Sequence, residues 1–326
     1  MDRLIEDARK TYELNFEPVA WFGRCIFMSW YCSLGTCKFC FRSTTKHKIK
    51  FAKNAKRSMA SMLVDSLIGK ECGWRIEFLT GGYDIFDFDE IVEIAKNVSH
   101  IFREKLWLNI GTLDKAQLEK LKPYVEGVCA SIETAEKGLH DYVCPAKPIE
   151  PYSEFLELAH EMGFKKSITI VIGLGEKKED VDLLFDFIEK HKLERITFYA
   201  LKPVKGTGYT ESPSPEYYAW WIAKTRIRFP KLEIIAGLTP EKPDYTDLIL
   251  NAGANAITKF PVLKKFNTEK TQLIEKLVEK AGREFTSTLT RLPDVDWNKK
   301  IEDLGFDDEL TEQMKEKIAP ILRRIQ

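Results

Sequence analysis

Short apolar segments alternate with amphipathic segments along most of the chain. Segments rich in β-branched and aromatic residues predict eight strands, over 24–30, 74–79, 105–110, 126–133, 166–172, 195–199, 232–236 and 255–258. Between them, apolar residues recur at helical spacing and predict helices over 58–70, 88–103, 114–122, 150–162, 177–191, 215–227 and 243–251. Asp114, Pro151 and Ser214 stand where three of these helices would begin.

Strands connected by helical segments predict an α/β fold, a parallel (β/α)8 barrel of the TIM type. We expect an N-terminal helical extension before the barrel and C-terminal helices after it, since the chain is rich in Lys and Glu with helical spacing from about residue 265. Residues 1–265 would then form the barrel domain, and residues 266–326 a helical cap packed on it. In such barrels the chemistry lies at the C-terminal ends of the strands.

Composition argues against two kinds of partner. Fifty Lys and Arg balance fifty Asp and Glu, so the basic surface typical of a nucleic-acid partner is absent. No apolar run approaches the length that spans a bilayer, and the N-terminus is acidic and amphipathic rather than signal-like. We expect a cytoplasmic protein that binds neither nucleic acid nor membrane. Its seven cysteines then indicate metal-binding or catalytic thiols rather than disulfides.

Three cysteines lie within nine residues directly after the first predicted strand. Cys32, Cys37 and Cys40 share one loop, and Gly35 permits a sharp turn between the first two. Such a loop can hold an iron–sulfur cluster, and three ligands on a four-iron cluster leave one iron open to a substrate or cofactor. A structural zinc site is an alternative, but it usually needs a fourth ligand, and only Cys25 is near. Ordinary buried cysteines are the other alternative.

The loop resembles the cluster loop of radical S-adenosylmethionine (SAM) enzymes, in which an aromatic residue precedes the last cysteine. Phe39 takes that place here, although four residues rather than the usual three separate Cys32 from Cys37. The resemblance implies a 4Fe–4S cluster on Cys32, Cys37 and Cys40, with SAM as the second cofactor. It also implies an electron donor such as ferredoxin or flavodoxin. In this family, SAM is cleaved reductively to a 5′-deoxyadenosyl radical that abstracts hydrogen from an unactivated C–H bond.

Later segments extend the resemblance to SAM contacts. Gly81 and Gly82 are similar to the Gly-Gly-Glu motif whose backbone receives the methionine amino group, with Tyr83 in place of the usual Glu. Glu133 ends the fourth predicted strand and resembles the glutamate that binds the ribose hydroxyls in the biotin-synthase-like branch.

The fifth predicted strand resembles the segment that meets the adenine, through Val171 and Gly173. A dinucleotide-binding interpretation of Gly173 and Gly175 is weak, because the third glycine of that fingerprint is missing. Further similarity to biotin synthases brings the resemblance to about residues 20–260, at 205–207, Arg226, Pro230, 236–237 and 252–255.

The chain nevertheless lacks the ligands of the auxiliary cluster of biotin synthase. Matching positions hold Leu79 or Thr80, Asn109 or Ile110, Ile168 or Thr169, and Leu238. The remaining thiols, Cys25, Cys72, Cys129 and Cys144, are candidates for a different second iron–sulfur cluster. Strand alternation puts Cys129 on the same face as Glu133, whereas Cys72 is equally well explained as a buried apolar residue.

A second cluster would favour sulfur insertion into an octanoyl chain. The resemblance then implies a component of the two-protein lipoyl synthase, with a lipoyl domain or H-protein as substrate and a second radical SAM protein as partner. One-cluster relatives such as methylornithine synthase and the hydrogenase-cofactor maturases are the alternative. A non-enzymatic electron carrier would also bind a cluster, but it needs no ribose or adenine contacts.

Overall fold

The eight predicted strands form a closed parallel barrel in the computed structural model, which describes residues 1–239 and 241–325. Each strand pairs with the next in the chain, and pairing of β1 with both β2 and β8 closes the sheet. A short strand, β9, adds to the start of β1. The strands are β1 Val19–Phe27, β2 Arg75–Thr80, β3 Leu106–Asn109, β4 Val125–Glu133, β5 Lys165–Ile172, β6 Arg195–Ala200, β7 Glu233–Gly237, β8 Ala256–Thr258 and β9 Glu284–Phe285. The predicted (β/α)8 fold is confirmed.

Helices surround the barrel, since each connection between parallel strands must cross back over its outer face. They are α1 Asp2–Glu13, α2 Phe41–Thr45, α3 Met59–Glu71, α4 Phe88–Phe102, α5 Lys115–Leu121, α6 Lys137–Val143, α7 Glu150–Glu161, α8 Val181–His191, α9 Pro215–Arg228, α10 Thr246–Asn251, α11 Val262–Lys265, α12 Glu269–Lys280, α13 Trp297–Glu302 and α14 Asp308–Ile325. Short 3₁₀ turns occupy Lys46–Lys48, Ala52–Ala55, Lys178–Asp180 and Pro243–Tyr245.

Strand residues alternate between the lumen and the surrounding helices, except at the irregular pairing of β1 with β2, where Glu77 and Phe78 both face the lumen. On β4, Ala130 and Ile132 belong to the core between barrel and helices. Cys129 instead packs inside the barrel, and the hydroxyl of Ser131 donates to Asn109 Oδ1 at 3.0 Å across the lumen face. This period of two fixes which polar side chains can meet inside the barrel.

The first strand begins five residues earlier than predicted. Gly23 weakens the strand signal in the sequence, yet it lies inside β1. A β-carbon there would lie 3.3 Å from the β-carbons of Glu77 and Thr258, so the glycine makes room for lumen side chains. Residues 28–30, predicted as strand, instead begin the loop that carries the cysteines.

Both chain ends pack on the barrel. In α1, the Tyr12 hydroxyl donates to the carbonyls of Glu17 and Val19, each at 2.9 Å, and Arg283 stacks 3.2 Å from its ring centre. Met314 and Ile318 of α14 are buried in the main core. Whether residues 1–265 and 266–326 are separate folding units stays a prediction. Within the described residues, no helix is both long and apolar enough to cross a bilayer.

Candidate active site

The cysteine loop connects β1 to α2 at the C-terminal end of the barrel. Gly35 has a φ of 51°, in the left-handed region that favours glycine. The Ser33 amide donates to the Tyr83 carbonyl at 3.1 Å, and the Ser33 hydroxyl donates to Asp84 Oδ2 at 2.7 Å. These bonds tie the loop to the segment that follows β2.

Gly82 lies against the backbone of the cysteine loop. A β-carbon at position 82 would lie 1.8 Å from the Tyr31 carbonyl oxygen and 2.7 Å from Cys32 Cα, so no other residue fits without moving the loop. At Gly81 the nearest atom is the flexible Met28 Cε, at 3.3 Å. The sequence interpretation missed this role, because the contact joins segments fifty residues apart.

The three thiols are half-buried and free. A hydrogen bond from Cys144 lowers the pKa of Cys37 to about 7, against the effect of burial and with help from the charge of Lys147. Burial raises the pKa of Cys40. Among residues 1–239 and 241–325, no three His, Cys, Asp or Glu side chains are grouped closely enough to hold a metal ion. The three thiols nevertheless have the chemistry of an iron–sulfur cluster site, because Cys thiolates ligate such clusters.

Glu133, the predicted ribose ligand, ends β4 in a buried ion pair. Its Oε1 accepts from Lys147 Nζ at 2.8 Å, and Lys147 Nζ also donates to the Ser131 carbonyl at 2.6 Å. The second carboxylate oxygen lies 3.4 Å from the hydroxyl of Thr169. Burial acts to lower the pKa of Lys147, but Glu133 and nearby thiols hold it above its usual value. Glu133 has a φ of 65°, uncommon for a residue with a β-carbon.

A small apolar cluster joins the predicted adenine contacts to the cysteine loop. Val171 is buried there with Cys144, and Phe39 and Cys37 pack against it. The Gly173 amide donates to Glu176 Oε1 at 2.8 Å, so the Glu176 carboxylate folds back over the loop after β5. Gly173 has a φ of 106°.

A polar group that sequence reasoning missed lies deeper in the lumen. The Glu77 carboxylate of β2 is fully buried and accepts from the Cys25 thiol at 3.0 Å. The hydroxyls of Tyr199 and Thr258 hydrogen-bond to the same carboxylate. Burial raises the pKa of Glu77. Lys259, the residue after β8, holds its ammonium 4.2 Å from the Tyr199 ring centre.

The four remaining thiols occupy three different environments. Cys25 and Cys129 share a lumen cluster with Phe78 and Trp107. Cys144 lies beside Cys37, directly after α6. Cys72 ends α3 and is buried in the core outside the barrel wall. The structure thus brings together two of the four candidates for a second cluster.

Arg226 is one of the positions that are similar to biotin synthases. It makes structural contacts and is not part of the candidate active site. Its guanidinium donates to the carbonyls of Gly253 and Pro230, at 2.9 and 2.8 Å, and to Asn255 Oδ1 at 2.6 Å. The side chain is fully buried between α9 and the turn before β8. This part of the sequence similarity therefore preserves packing.

Comparison with known proteins agrees with the site. Over 315 residues the chain is 37% identical to the uncharacterized protein MJ0597 of Methanocaldococcus jannaschii, covering 95% of this chain and 87% of that protein. It is 24% identical to the biotin synthase of Methanococcus aeolicus over 173 residues, which span about half of each protein, 52% of this chain and 53% of the synthase.

The fold is similar to that of methylornithine synthase (PylB), with a TM-score of 0.74 and 22% identity over 87% of this chain and 88% of that chain. Residues 26–188, half of the chain, match the radical SAM superfamily. That range contains the cysteine loop, Gly81, Gly82, Glu133 and Gly173. The chain therefore belongs to the radical SAM superfamily, whose members use SAM, a 4Fe–4S cluster and a reductant.

Proposed function

We propose that this chain cleaves SAM at a single 4Fe–4S cluster held by Cys32, Cys37 and Cys40, and that it acts on a small polar substrate inside the barrel. The observation that carries the proposal is the polar lumen around Glu77, at the end of the barrel where the cysteine loop lies. Barrel interiors are usually filled by branched apolar side chains. Here a fully buried carboxylate and its three donors take that space.

The residues of the cysteine loop fit the cluster in chemical type. Thiolates ligate iron, and the hydrogen bond from Cys144 and the charge of Lys147 lower the pKa of Cys37, which favours its thiolate form. When bound, the cluster and SAM supply a 5′-deoxyadenosyl radical able to take hydrogen from an unactivated C–H bond.

The chain's own residues would orient SAM and exclude water. Glu133 is the acceptor for the ribose hydroxyls, held in place by Lys147. Val171 and Phe39 provide an apolar wall beside the cysteine loop, which suits an adenine ring. The backbone of Gly81 is free of the contact that confines Gly82, and is the proposed partner of the methionine amino group.

The test is reductive cleavage by the anaerobically reconstituted protein. We expect roughly four irons per chain and 5′-deoxyadenosine on addition of dithionite. The matched control is the Cys32→Ala/Cys37→Ala/Cys40→Ala variant, which should contain no iron and form no 5′-deoxyadenosine. A wild-type chain that binds the cluster without cleaving SAM would instead act as an electron carrier.

Sulfur insertion by a lipoyl synthase component is the second candidate. It is favoured by the proximity of Cys25 and Cys129 in the lumen cluster. Against it stand the separate positions of Cys72 and Cys144, and the polar groups around Glu77, which an octanoyl chain would desolvate. Its substrate would be an octanoylated lipoyl domain or H-protein, with a second radical SAM protein as partner.

Iron analysis distinguishes the two candidates. A second cluster predicts that the triple alanine variant retains iron, and that adding Cys25→Ser and Cys129→Ser removes it. An iron-free triple variant leaves sulfur insertion without a sulfur source in this chain and supports the one-cluster function.

A further inference from the structure

Lys259 is a cation at the open end of the lumen. Its backbone follows β8 directly, and its ammonium lies over the ring of Tyr199. Within residues 1–239 and 241–325, it forms no ion pair with a carboxylate. The other lysine at this site, Lys147, is bound to Glu133 at 2.8 Å. Of these two lysines, Lys259 is therefore the one available to a ligand.

Lys259 lies at the same end of the barrel as the cysteine loop, because it directly follows β8. Its ammonium lies over the ring of Tyr199, whose hydroxyl bonds to Glu77 on the lumen floor. The residue is exposed, so its ammonium is open to a ligand. A substrate must occupy this same space to meet a radical formed beside the cysteine loop.

The chain holds Lys259 in a costly conformation. Its φ of 65° lies in the left-handed region, which is unfavourable for a side chain with a β-carbon. Glu77 fixes the residues on both sides of the ammonium: it hydrogen-bonds to Thr258, which precedes Lys259, and to Tyr199, whose ring lies beneath the charge.

We propose that Lys259 binds a carboxylate of the substrate, so that the substrate class is small organic acids, including amino acids. This inference rests on the proposed function and adds the substrate class to it. Lys259 would act as a positioning and specificity residue, since an ammonium donates strong hydrogen bonds to an anion and leaves the C–H bonds of the substrate unchanged. Glu77 closes the lumen below, which limits the substrate to a short molecule.

The experiment compares succinate with succinamide as probes. Isothermal titration of the iron-loaded, SAM-bound chain should show that succinate binds at least about tenfold more tightly than its uncharged analogue. Lys259→Met should abolish this preference, and Lys259→Arg should keep it. Lys202→Met is the matched control: Lys202 lies after β6 at the same end of the barrel but pairs with Glu241 at 2.9 Å, so the preference should persist. Equal binding of both probes to wild type, or a preference that survives Lys259→Met, overturns the proposal.

A second measurement needs no variant and so does not depend on its folding. Succinate, but not succinamide, should protect Lys259 of the wild-type chain from reductive methylation, measured by peptide mass spectrometry, while Lys202 is modified equally in both. Loss of the difference at Lys259 contradicts the carboxylate site. Formation of 5′-deoxyadenosine in the same preparation tests the proposed function separately: its absence refutes SAM cleavage and leaves the anion site standing.

Discussion

Inside the barrel, the layer toward the N-terminal end and the layer toward the C-terminal end are built from different side chains. At the N-terminal end, Trp21, Ile235 and Ala256 form a buried apolar cluster. At the C-terminal end, the lumen holds Glu77, Glu133 and their polar partners. Because the apolar cluster closes one end, substrate and SAM must enter from the other. The same strands run through both ends of the barrel. The side chains therefore decide which end is structural (N-terminal) and which is chemical (C-terminal).

Charge by itself does not identify the chemical end. A cavity of about 310 Å³ lies at the N-terminal end and is lined by charged residues. Those charges largely neutralise one another: Arg195 pairs with Glu233 at 2.5 Å, and Lys165 pairs with Glu126 at 2.6 Å. The residues that line this cavity include no cysteine and no proposed SAM contact. The informative feature at the other end is a set of polar groups that bond to one another inside the barrel.

The largest effect is expected from the cysteine loop. Cys32→Ala, Cys37→Ala or Cys40→Ala should each reduce 5′-deoxyadenosine formation to background, because one iron ligand is lost. Cys72→Ala is the control, since Cys72 lies in the core outside the barrel wall and should leave the reaction intact. Cys144 lies beside Cys37, so Cys37→Ala is best measured also with Cys144→Ala to exclude ligand replacement. Wild-type turnover by any loop variant contradicts the cluster assignment.

A large effect is also expected from Gly82→Ala. Its β-carbon would collide with the Tyr31 carbonyl oxygen and displace the cysteine loop, so the protein should lose most of its reconstituted iron. Gly81→Ala provides a matched control, because the only close atom is the end of the Met28 side chain. Iron content and the visible absorbance of the cluster are measured for both variants. Equal iron in the two variants would show that this contact does not position the loop.

Glu133→Ala should have two separable effects. SAM affinity should fall about tenfold or more, because charge-assisted hydrogen bonds to the ribose are lost. The free energy of unfolding should fall by about 3 kcal/mol, because Lys147 is left buried without its partner. Glu133→Ala/Lys147→Met should regain much of the stability but not the SAM affinity. Denaturant unfolding measures the stability, and equilibrium binding measures the SAM affinity. If the double variant also regained SAM affinity, the role of Glu133 would be purely structural.

Most of the barrel could be predicted because its strands are dense in β-branched residues and separated by clear helical periods. The short helix α6 was missed, since seven residues carry little periodicity. The proposed cluster loop was visible because its cysteines are close in sequence. Glu77 and Lys259 were not, because their partners are far away along the chain: Glu77 meets Tyr199 and Thr258 only in the closed barrel. For Glu77, the available signal in the sequence was an acidic residue inside a predicted strand.

The smallest effect on the reaction is expected at the apolar end of the lumen. Ile235 is fully buried against Trp21 and Ala256, so Ile235→Ala should lower the free energy of unfolding by about 2–4 kcal/mol through lost burial and a residual cavity. SAM affinity and the rate of 5′-deoxyadenosine formation should stay within about twofold of wild type at a temperature where both proteins are folded, because changes at well-separated sites are largely independent. Ile235→Val, which removes one methylene, should cost roughly 1 kcal/mol and serves as the graded control. Urea unfolding and SAM titration on the same samples measure both quantities. A tenfold loss of SAM affinity with little loss of stability would mean that the apolar end also shapes the site, and the division of the lumen into a structural and a chemical end would be wrong.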